Sequence, residues 1–303
     1  MLNLQVINYR KHAALFSLII IIIGIISLAI NGLNLGIDFT GGTVLHLNIG
    51  EKFEEEEVRE ILAELGLEGS FIQVVGDDGF ARGEQNEVII RTVPLEEEKR
   101  QEIIGAFQEK WGITEEDIIR VDNVGAVMGE ELTRSAFWAL IIATLGMIAY
   151  ITIRFEFKFA LSAIAALVHD LIILLTVFSV FRIEINSPFV AAILTIFGYS
   201  INDTIVVFDR IRENLKEMKK GSNRDIVNYS INQTIVRSIN TSVTTLLVLS
   251  ALYVFGGIAL RPFIAALLVG VISGTYSSLF VASPLWVTWK DWEQNKNKNV
   301  KTV

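Results

Sequence analysis

The sequence contains no cysteine and only 3 histidines among its 303 residues. Without a thiol there is no disulfide framework, although the absence of cysteine is compatible with any cellular compartment. Charged residues are also sparse, at 20%, whereas hydrophobic residues make up 51% of the chain and the mean hydropathy is +0.48. This composition excludes a disordered protein and is more apolar than that of a typical soluble domain.

Positive charge is scarce in one part of the chain. Between Asn31 and Leu132 there are 24 acidic and 8 basic residues, whereas the remainder contains 10 acidic and 18 basic residues. The chain is therefore an acidic domain set into a basic, apolar body. Because the acidic domain would repel phosphates, it does not bind nucleic acid, and we expect no nucleic acid among the partners.

Long apolar runs indicate a membrane protein. The first extends from His12 to Asn31 and follows Arg10 and Lys11. At about 1.5 Å of rise per residue it matches a hydrocarbon core of about 30 Å, so it predicts a spanning helix. The alternative, a cleaved signal peptide, usually has an apolar region of only about 7 to 15 residues. Further apolar runs bring the number of spans to six: Ser135 to Ile153, Phe159 to Phe181, Pro188 to Phe208, Ile239 to Val254 and Phe263 to Val287.

Six spans place both termini on the same side. Basic residues lie before the first span, between the second and third, between the fourth and fifth, and after the sixth. The positive-inside rule therefore predicts cytoplasmic termini. The basic loop sets this topology or, as an alternative, binds anionic membrane lipid. The predicted organisation is a cytoplasmic N-terminus (1–12), spans at 13–31, 133–153, 159–181, 188–209, 237–256 and 263–287, an extracytoplasmic domain (32–132), a cytoplasmic basic loop (210–236) and a cytoplasmic tail (288–303).

The acidic segment between the first two spans predicts a folded domain. Alternating apolar residues predict strands at 42–49, 71–75, 87–93 and 118–124, and helical periodicity predicts helices at 53–65 and 95–111. A Gly/Asp-rich turn lies at 76–79. The acidic runs at 54–57 and 96–98 fall in first helical turns, where carboxylates interact favourably with the helix dipole. The predicted fold is thus a polytopic α-helical membrane protein, with six transmembrane helices and a ferredoxin-like βαββαβ extracytoplasmic domain between helices 1 and 2.

Ionisable side chains inside the spans are candidate functional residues, because each costs about 2.5 to 3.5 kcal/mol in hydrocarbon. Asp203 lies in the fourth span, and Arg237 stands at the cytoplasmic entry of the fifth. If Arg237 approaches, the carboxylate stays ionised, and if it withdraws, the carboxyl group takes up a proton. The pair is therefore predicted to couple ion binding to helix arrangement, with a static buried ion pair as the alternative.

Further polar residues accompany this pair within the spans. The fifth span carries them at the spacing of one helix face, which is predicted to face the bundle interior, with polar bonding between helices as the alternative. For the His-Asp pair in the third span, a proton relay and hydrogen-bonded packing both stay open. The predicted supporting path comprises His169, Asp170, Asn202, Asn240, Thr241, Thr244 and Thr245. In the sixth span, small residues spaced by four predict close helix approach at Gly270, Gly274 and Ser278.

A glycine-rich segment lies just outside the first span, at Gly36, Asp38, Gly41 and Gly42. It lacks the lysine and the following helix of a phosphate loop, so it is not a nucleotide site. It predicts a tight, non-helical turn where the backbone approaches another segment closely. No cofactor, metal site or catalytic residue is predicted, and the absence of convincing Ser/His or paired-Asp spacing disfavours an intramembrane hydrolase.

Four segments resemble the signature segments of the SecF proteins, of the SecD/SecF family in the resistance-nodulation-division superfamily. They lie in the same order, and the resemblance covers essentially the whole chain; the third is long and specific: 36–42, 165–170, 198–214 and 237–245.

The resemblance implies an accessory subunit of the Sec protein-export translocase in a prokaryotic plasma membrane, which acts with SecD and uses a proton or sodium gradient to drive preprotein translocation. Implied partners are SecD, the SecYEG channel, YajC in bacteria, and the preprotein on the outer side. Asp203 would be the ion-binding carboxylate and Arg237 its partner, with Asp38 and the surrounding glycines at the membrane-to-domain junction.

Two other functions stay open. A half-size exporter of small molecules or lipids from the same superfamily would need larger outer domains than the 80 to 90 or so residues expected here. A non-conducting scaffold of the translocon would use Asp203 only as a structural partner. None of these functions is enzymatic.

Overall fold

The computed structural model describes residues 4–75, 86–218 and 221–301. The predicted turn at 76–79 lies outside the described residues. The chain divides into two compact units, one formed by Met1–Asn34 with Trp138–Val303 and the other by Leu35–Phe137. The first unit is helical, and the second contains a β-sheet.

The helices are, in chain order, α1 (Arg10–Asn31), α2 (Ile37–Thr40), α3 (Glu55–Glu64), α4 (Glu97–Trp111), α5 (Ala126–Arg154), α6 (Phe157–Val180), α7 (Ser187–Glu217), α8 (Asn223–Phe255), α9 (Arg261–Ser277) and α10 (Ser283–Lys301). A π-helical turn, Ser278–Ala282, joins α9 to α10. The strands are β1 (Gly42–Asn48), β2 (Phe71–Val75), β3 (Glu87–Thr92) and β4 (Ile118–Val124).

Six helical segments of the described chain are long and apolar enough to cross a membrane, with α9, the π turn and α10 together forming the sixth. Local signals fix where some of them begin. The side chain of Asn186 accepts a hydrogen bond from the backbone of Phe189 at the start of α7. Ser222 and Asp225 form a capping box at the start of α8. The predicted architecture of six transmembrane helices is confirmed.

The helices differ in how much of their surface the chain itself covers. Half of the apolar window of α6 and of the sixth span is buried, and 44% of that of α7. In contrast, only 6% of the α5 window and 11% of the α8 window are buried. The core of the membrane unit is therefore built on α6, α7 and α9, whereas α5 and α8 leave most of their surface uncovered by this chain.

The glycines of α9 allow close contact with α7. A Cβ atom added at Gly270 would lie 2.3 Å from the side chain of Ile196, and one at Gly274 would lie 2.9 Å from Cβ of Ser200. Ser278 is fully buried. The small-residue face predicted from the sequence thus lies against a neighbouring helix.

Gly274→Ala should destabilise the membrane unit by about 1 to 3 kcal/mol, because the new methyl group would overpack the contact with Ser200. Gly198→Ala on α7 is the matched control, since a Cβ atom there meets no atom within 4 Å and alanine favours the helix by up to about 1 kcal/mol. Thermal unfolding of the purified protein in detergent measures both. Equal melting temperatures for the two variants would contradict the packing argument.

The outer unit contains one antiparallel sheet with strand order β2-β3-β1-β4. Alternate residues of the strands point into a core shared with α3 and α4, where Leu45, Leu47, Ile90 and Phe107 are fully buried. The acidic residues at the starts of α3 and α4 lie in the first turns, as predicted. The order βαββαβ and this strand arrangement confirm the ferredoxin-like domain.

Candidate functional site

Asp203 lies on α7 with a partly buried side chain. Its Oδ1 accepts a hydrogen bond of 2.5 Å from the hydroxyl of Ser238 on α8. Its Oδ2 is buried and has no hydrogen-bond partner among the described residues. Because a buried acceptor without a donor is costly, this oxygen is a place where a bound proton or cation would be stabilising.

Arg237 precedes Ser238 on α8, but its side chain is exposed. Within the described residues, no ion pair within 4.0 Å joins it to Asp203, although its charge still attracts the carboxylate through space. Successive helical residues point about 100° apart, so only one of the two can face α7, and it is the serine. In this structure the Arg237 side chain is therefore withdrawn from the Asp203 carboxylate.

The polar face of α8 does not point into the chain's own bundle, which corrects the expectation from the sequence. Asn240, Thr241 and Thr244 are exposed, and Thr245 is partly exposed. The three threonine hydroxyls each donate to a backbone carbonyl of α8 itself, at 2.9 Å. Periodicity identified the face correctly but not its direction, because the buried face of α8 carries its own hydroxyls at Ser238 and Ser242.

Hydroxyl groups link the three helices around Asp203. Tyr199 of α7 donates to Ser242 of α8 at 3.0 Å, and Ser242 is 2.5 Å from the hydroxyl of Thr275 on α9. Thr204, the residue after Asp203, is 2.8 Å from the hydroxyl of Ser278. Asn202 is exposed, with no hydrogen bond to these groups among the described residues, and so lies outside this network.

Asp170 on α6 has a different environment, because several donors surround it. It is 1% exposed and accepts hydrogen bonds from the hydroxyls of Ser200 (2.8 Å), Ser273 (2.6 Å) and Ser277 (2.8 Å). His169 Nδ1 lies 3.3 Å from its Oδ1. Hydrogen bonds from α7 and α9, with His169 of α6 beside them, thus give both oxygens of this carboxylate a partner.

His169 extends this cluster to α1. Its Nε2 lies 2.9 Å from the hydroxyl of Ser17, which is 3.2 Å from the hydroxyl of Tyr276. The ring of Tyr276 stacks on the imidazole, and its hydroxyl donates to the carbonyl of Ala13. With the proton on Nδ1, the imidazole donates to Asp170 and accepts from Ser17, so every polar atom has a partner. The pair is hydrogen-bonded on both sides, an arrangement that fits packing and a proton relay alike.

Sequence reasoning missed the hydrogen bonds of the serines that build both clusters. It singled out charged groups and the polar stripe of α8, and it identified Ser278 only as a small packing residue. One signal was available. Ser273 and Ser277 are spaced by four in the sixth span, as are Ser238 and Ser242 in the fifth, and that spacing places each pair on one helix face.

Ser273→Ala should lower stability by about 1 to 2 kcal/mol, because it removes a hydrogen bond to the buried Asp170. Ser162→Ala on α6 is the matched control, since the Ser162 hydroxyl is buried without a partner among the described residues and its loss should be neutral or stabilising. The melting temperatures of the two purified variants measure this difference in stability. A similar loss in both would argue against the Asp170 cluster as a source of stability.

The glycine-rich segment begins with a helical turn, which corrects the prediction of a non-helical one. Gly36 precedes the single turn of α2, and Gly41 follows it with φ of 70°. A Cβ atom at Gly42 would lie 2.4 Å from the carbonyl oxygen of Thr92. The predicted close backbone approach is therefore present. Asp38 lies in the helical turn.

Within the described ranges, no group of three or more His, Cys, Asp or Glu side chains is arranged to hold a metal ion.

Two family models match the chain. The description "Protein export membrane protein SecD/SecF, C-terminal" matches residues 106–292, and "SecD/SecF GG Motif" matches residues 26–46. The second match contains the glycine-rich segment of α2, and the first contains Asp170, Asp203 and Arg237.

Curated SecF relatives match over nearly their whole length, whereas a longer SecDF relative matches over part of its length. Protein translocase subunit SecF of Sebaldella termitidis is 40% identical over 287 residues, which cover 94% of this chain and 91% of that protein. The SecF of Desulfurispirillum indicum is 42% identical, with coverage of 93% and 90%. Protein translocase subunit SecDF of Bacillus subtilis is 39% identical over 95% of this chain, which spans only 38% of that protein.

A crystal structure shows the same architecture. SecDF from Thermus thermophilus, described as a translocon-associated membrane protein, superimposes with a TM-score of 0.85 at 36% identity, over 94% of this chain and 38% of that chain. The chain is thus a multi-pass membrane protein with a ferredoxin-like domain, and it belongs to the SecD/SecF family of protein export membrane proteins. Its relatives of similar length are SecF subunits.

Proposed function

We propose that this chain is an accessory subunit of the Sec protein-export translocase, which works with SecD in a prokaryotic plasma membrane and uses the proton or sodium gradient to drive preprotein translocation. It performs no enzymatic reaction. The observation that carries the proposal is the Asp203 carboxylate, which has a donor for one oxygen and a buried second oxygen without a partner among the described residues.

The chemistry of Asp203 suits reversible ion binding. An ionised carboxylate in a low-dielectric site needs donors or a cation nearby, whereas a protonated one needs fewer partners. Asp170 already has its donors, so it has no need of an added ion. Asp203 gains stabilisation either from a bound ion or from an approach of Arg237. A gradient that loads and unloads this site thereby biases the arrangement of α7 and α8.

The exposed polar face of α8 supports a partner within the membrane. Polar side chains that face lipid are costly, and in membrane proteins such groups form hydrogen bonds across helix interfaces. Relatives that join SecD and SecF in one chain supply a second half beside the region that corresponds to this one. The SecD half would cover the face carrying Arg237, Asn240, Thr241 and Thr244, and would bring its own groups close to Asp203.

The charge distribution supports the orientation. Both termini and the basic α7–α8 connection lie on the cytoplasmic side in this proposal, next to anionic lipid. The acidic ferredoxin-like domain then lies on the outer side, where the emerging preprotein is handled. SecYEG and, in bacteria, YajC complete the assembly.

Asp203→Asn should abolish gradient-stimulated export while the complex still assembles, because an amide neither binds a proton at this pH nor carries a charge. The measurement is preprotein translocation into inverted membrane vesicles, with the proton gradient or the sodium gradient collapsed separately by the matching ionophore. Asp209→Asn is the control, since Asp209 pairs with Arg212 on the same helix. If stimulation survives in Asp203→Asn at equal protein levels, the chain acts as a scaffold.

Loss of polar groups from the α8 face should weaken association with SecD. Asn240→Leu combined with Thr244→Val removes about 1 kcal/mol per interhelical hydrogen bond, or about five-fold in affinity for each. Thr144→Val on α5 is the control, because the Thr144 hydroxyl also bonds only its own helix among the described residues. Co-purification of tagged SecD reports the effect. Equal losses in both variants would contradict a specific α8 interface.

A further inference from the structure

The sixth span contains a π-helical turn at Ser278–Ala282, between α9 and α10. The hydroxyl of Ser283 donates to the carbonyl of Ser278, five residues earlier, at 2.9 Å. Such a turn adds one residue to an α-helix, is rare, and is found frequently at functional sites. A row of side chains along one face of α9 therefore does not continue in register along α10.

The residues at the start of this turn connect α9 to the Asp170 carboxylate and to the immediate neighbour of Asp203. Ser277 donates to Asp170 on α6 at 2.8 Å. Ser278, the next residue, is fully buried and lies 2.8 Å from the hydroxyl of Thr204 on α7. Thr204 follows Asp203 directly. The two membrane clusters thus meet at adjacent residues of one helix.

The hydroxyl of Ser278 has one proton and several acceptors. It donates to the carbonyl of Gly274 at 2.8 Å and lies 3.4 Å from the carbonyl of Ser200. It also lies beside the Asp203 carboxylate, but Oδ2 of Asp203 has no hydrogen bond of regular geometry. Because a hydroxyl donates one strong hydrogen bond, a bond to the carboxylate would replace the bond to the backbone.

We propose that Ser278 is a positioning residue for Asp203, an inference that rests on the proposed role of Asp203 in ion coupling. While Asp203 holds its ion, the Ser278 hydroxyl donates to the carbonyl of Gly274. When the carboxylate releases the ion, the hydroxyl turns and donates to the carboxylate. Since Gly274 packs against Ser200 of α7, this exchange takes place where α7 and α9 are in close contact.

The π turn begins at Ser278 itself, so it determines how the helix continues beyond this hydroxyl. The carbonyl of Gly274 also accepts from the backbone N–H of Ser278, so it keeps a partner when the hydroxyl turns away. Deletion of one residue within the turn restores a regular α-helix, while α9 and α10 keep the faces they now present. The same deletion inside α9 would rotate all later residues by about 100°.

The test measures gradient-stimulated export in inverted vesicles as a function of the concentration of the driving ion, with the full chain in complex with SecD. Ser278→Ala should shift the ion concentration for half-maximal stimulation by at least about ten-fold, the lower range expected for loss of a hydrogen bond to a charged group. Ser278→Thr keeps a hydroxyl and should restore the wild-type midpoint. Ser162→Ala, a buried serine outside the cluster, should leave the midpoint unchanged.

A single-residue deletion tests the π turn separately. Deletion of Val281 should leave assembly with SecD intact and reduce gradient stimulation at least five-fold, whereas deletion of Ile272 within α9 should prevent assembly. Wild-type stimulation after deletion of Val281 would overturn the role of the turn. If the deleted chain does not accumulate, the comparison of Ser278→Ala with Ser278→Thr still decides on Ser278.

Asp203→Asn in the same assay separates the two proposals. Stimulation that survives in Asp203→Asn overturns the proposed function. Stimulation that is lost in Asp203→Asn, while Ser278→Ala keeps the wild-type midpoint, overturns only the role of Ser278.

Discussion

The constraint on which the membrane unit depends is the cost of a polar group in hydrocarbon. It is met differently at the two buried acids. Asp170 receives hydrogen bonds from serines of α7 and α9, and His169 links it to α1, so this carboxylate joins the core helices. Asp203 lies toward α8 and, among the described residues, has a hydrogen-bond donor of regular geometry for only one oxygen. Asp170, with donors for both oxygens, thus holds the core helices together. Asp203, at the edge of the core, keeps one oxygen that a further donor or ion could bind.

The sequence was sufficient for the architecture. Long apolar runs have one stable arrangement in a bilayer, and period-2 and period-3.6 patterns distinguish strands from helices in the outer domain. The two membrane acids were also identifiable, because charge inside an apolar run stands out. Close approach at the glycine-rich segment followed from residues without a side chain, although the helical turn of α2 did not, since four residues are too few to show a period.

The sequence did not show which way the polar faces of the helices point. The polar stripe of α8 has clear periodicity, but a helix with hydroxyls on two faces gives no sign of which face its own chain covers. Ser238 rather than Arg237 contacts Asp203, and that choice depends on how α8 is rotated against α7. The serines around Asp170 come from α7 and α9, and their meeting depends on the close packing at Gly274. The π turn left no recognisable pattern in the sequence of the sixth span.

The sparse coverage of α5 and α8 implies an order of assembly. The helices that bury one another, α6, α7 and α9, are able to associate as soon as they are inserted, because their contacts lie within the chain. The polar face of α8 is left uncovered by the other helices of this chain. An unassembled copy therefore leaves Arg237 and Asn240 exposed on α8, whereas the threonine hydroxyls beside them already bond the backbone of their own helix.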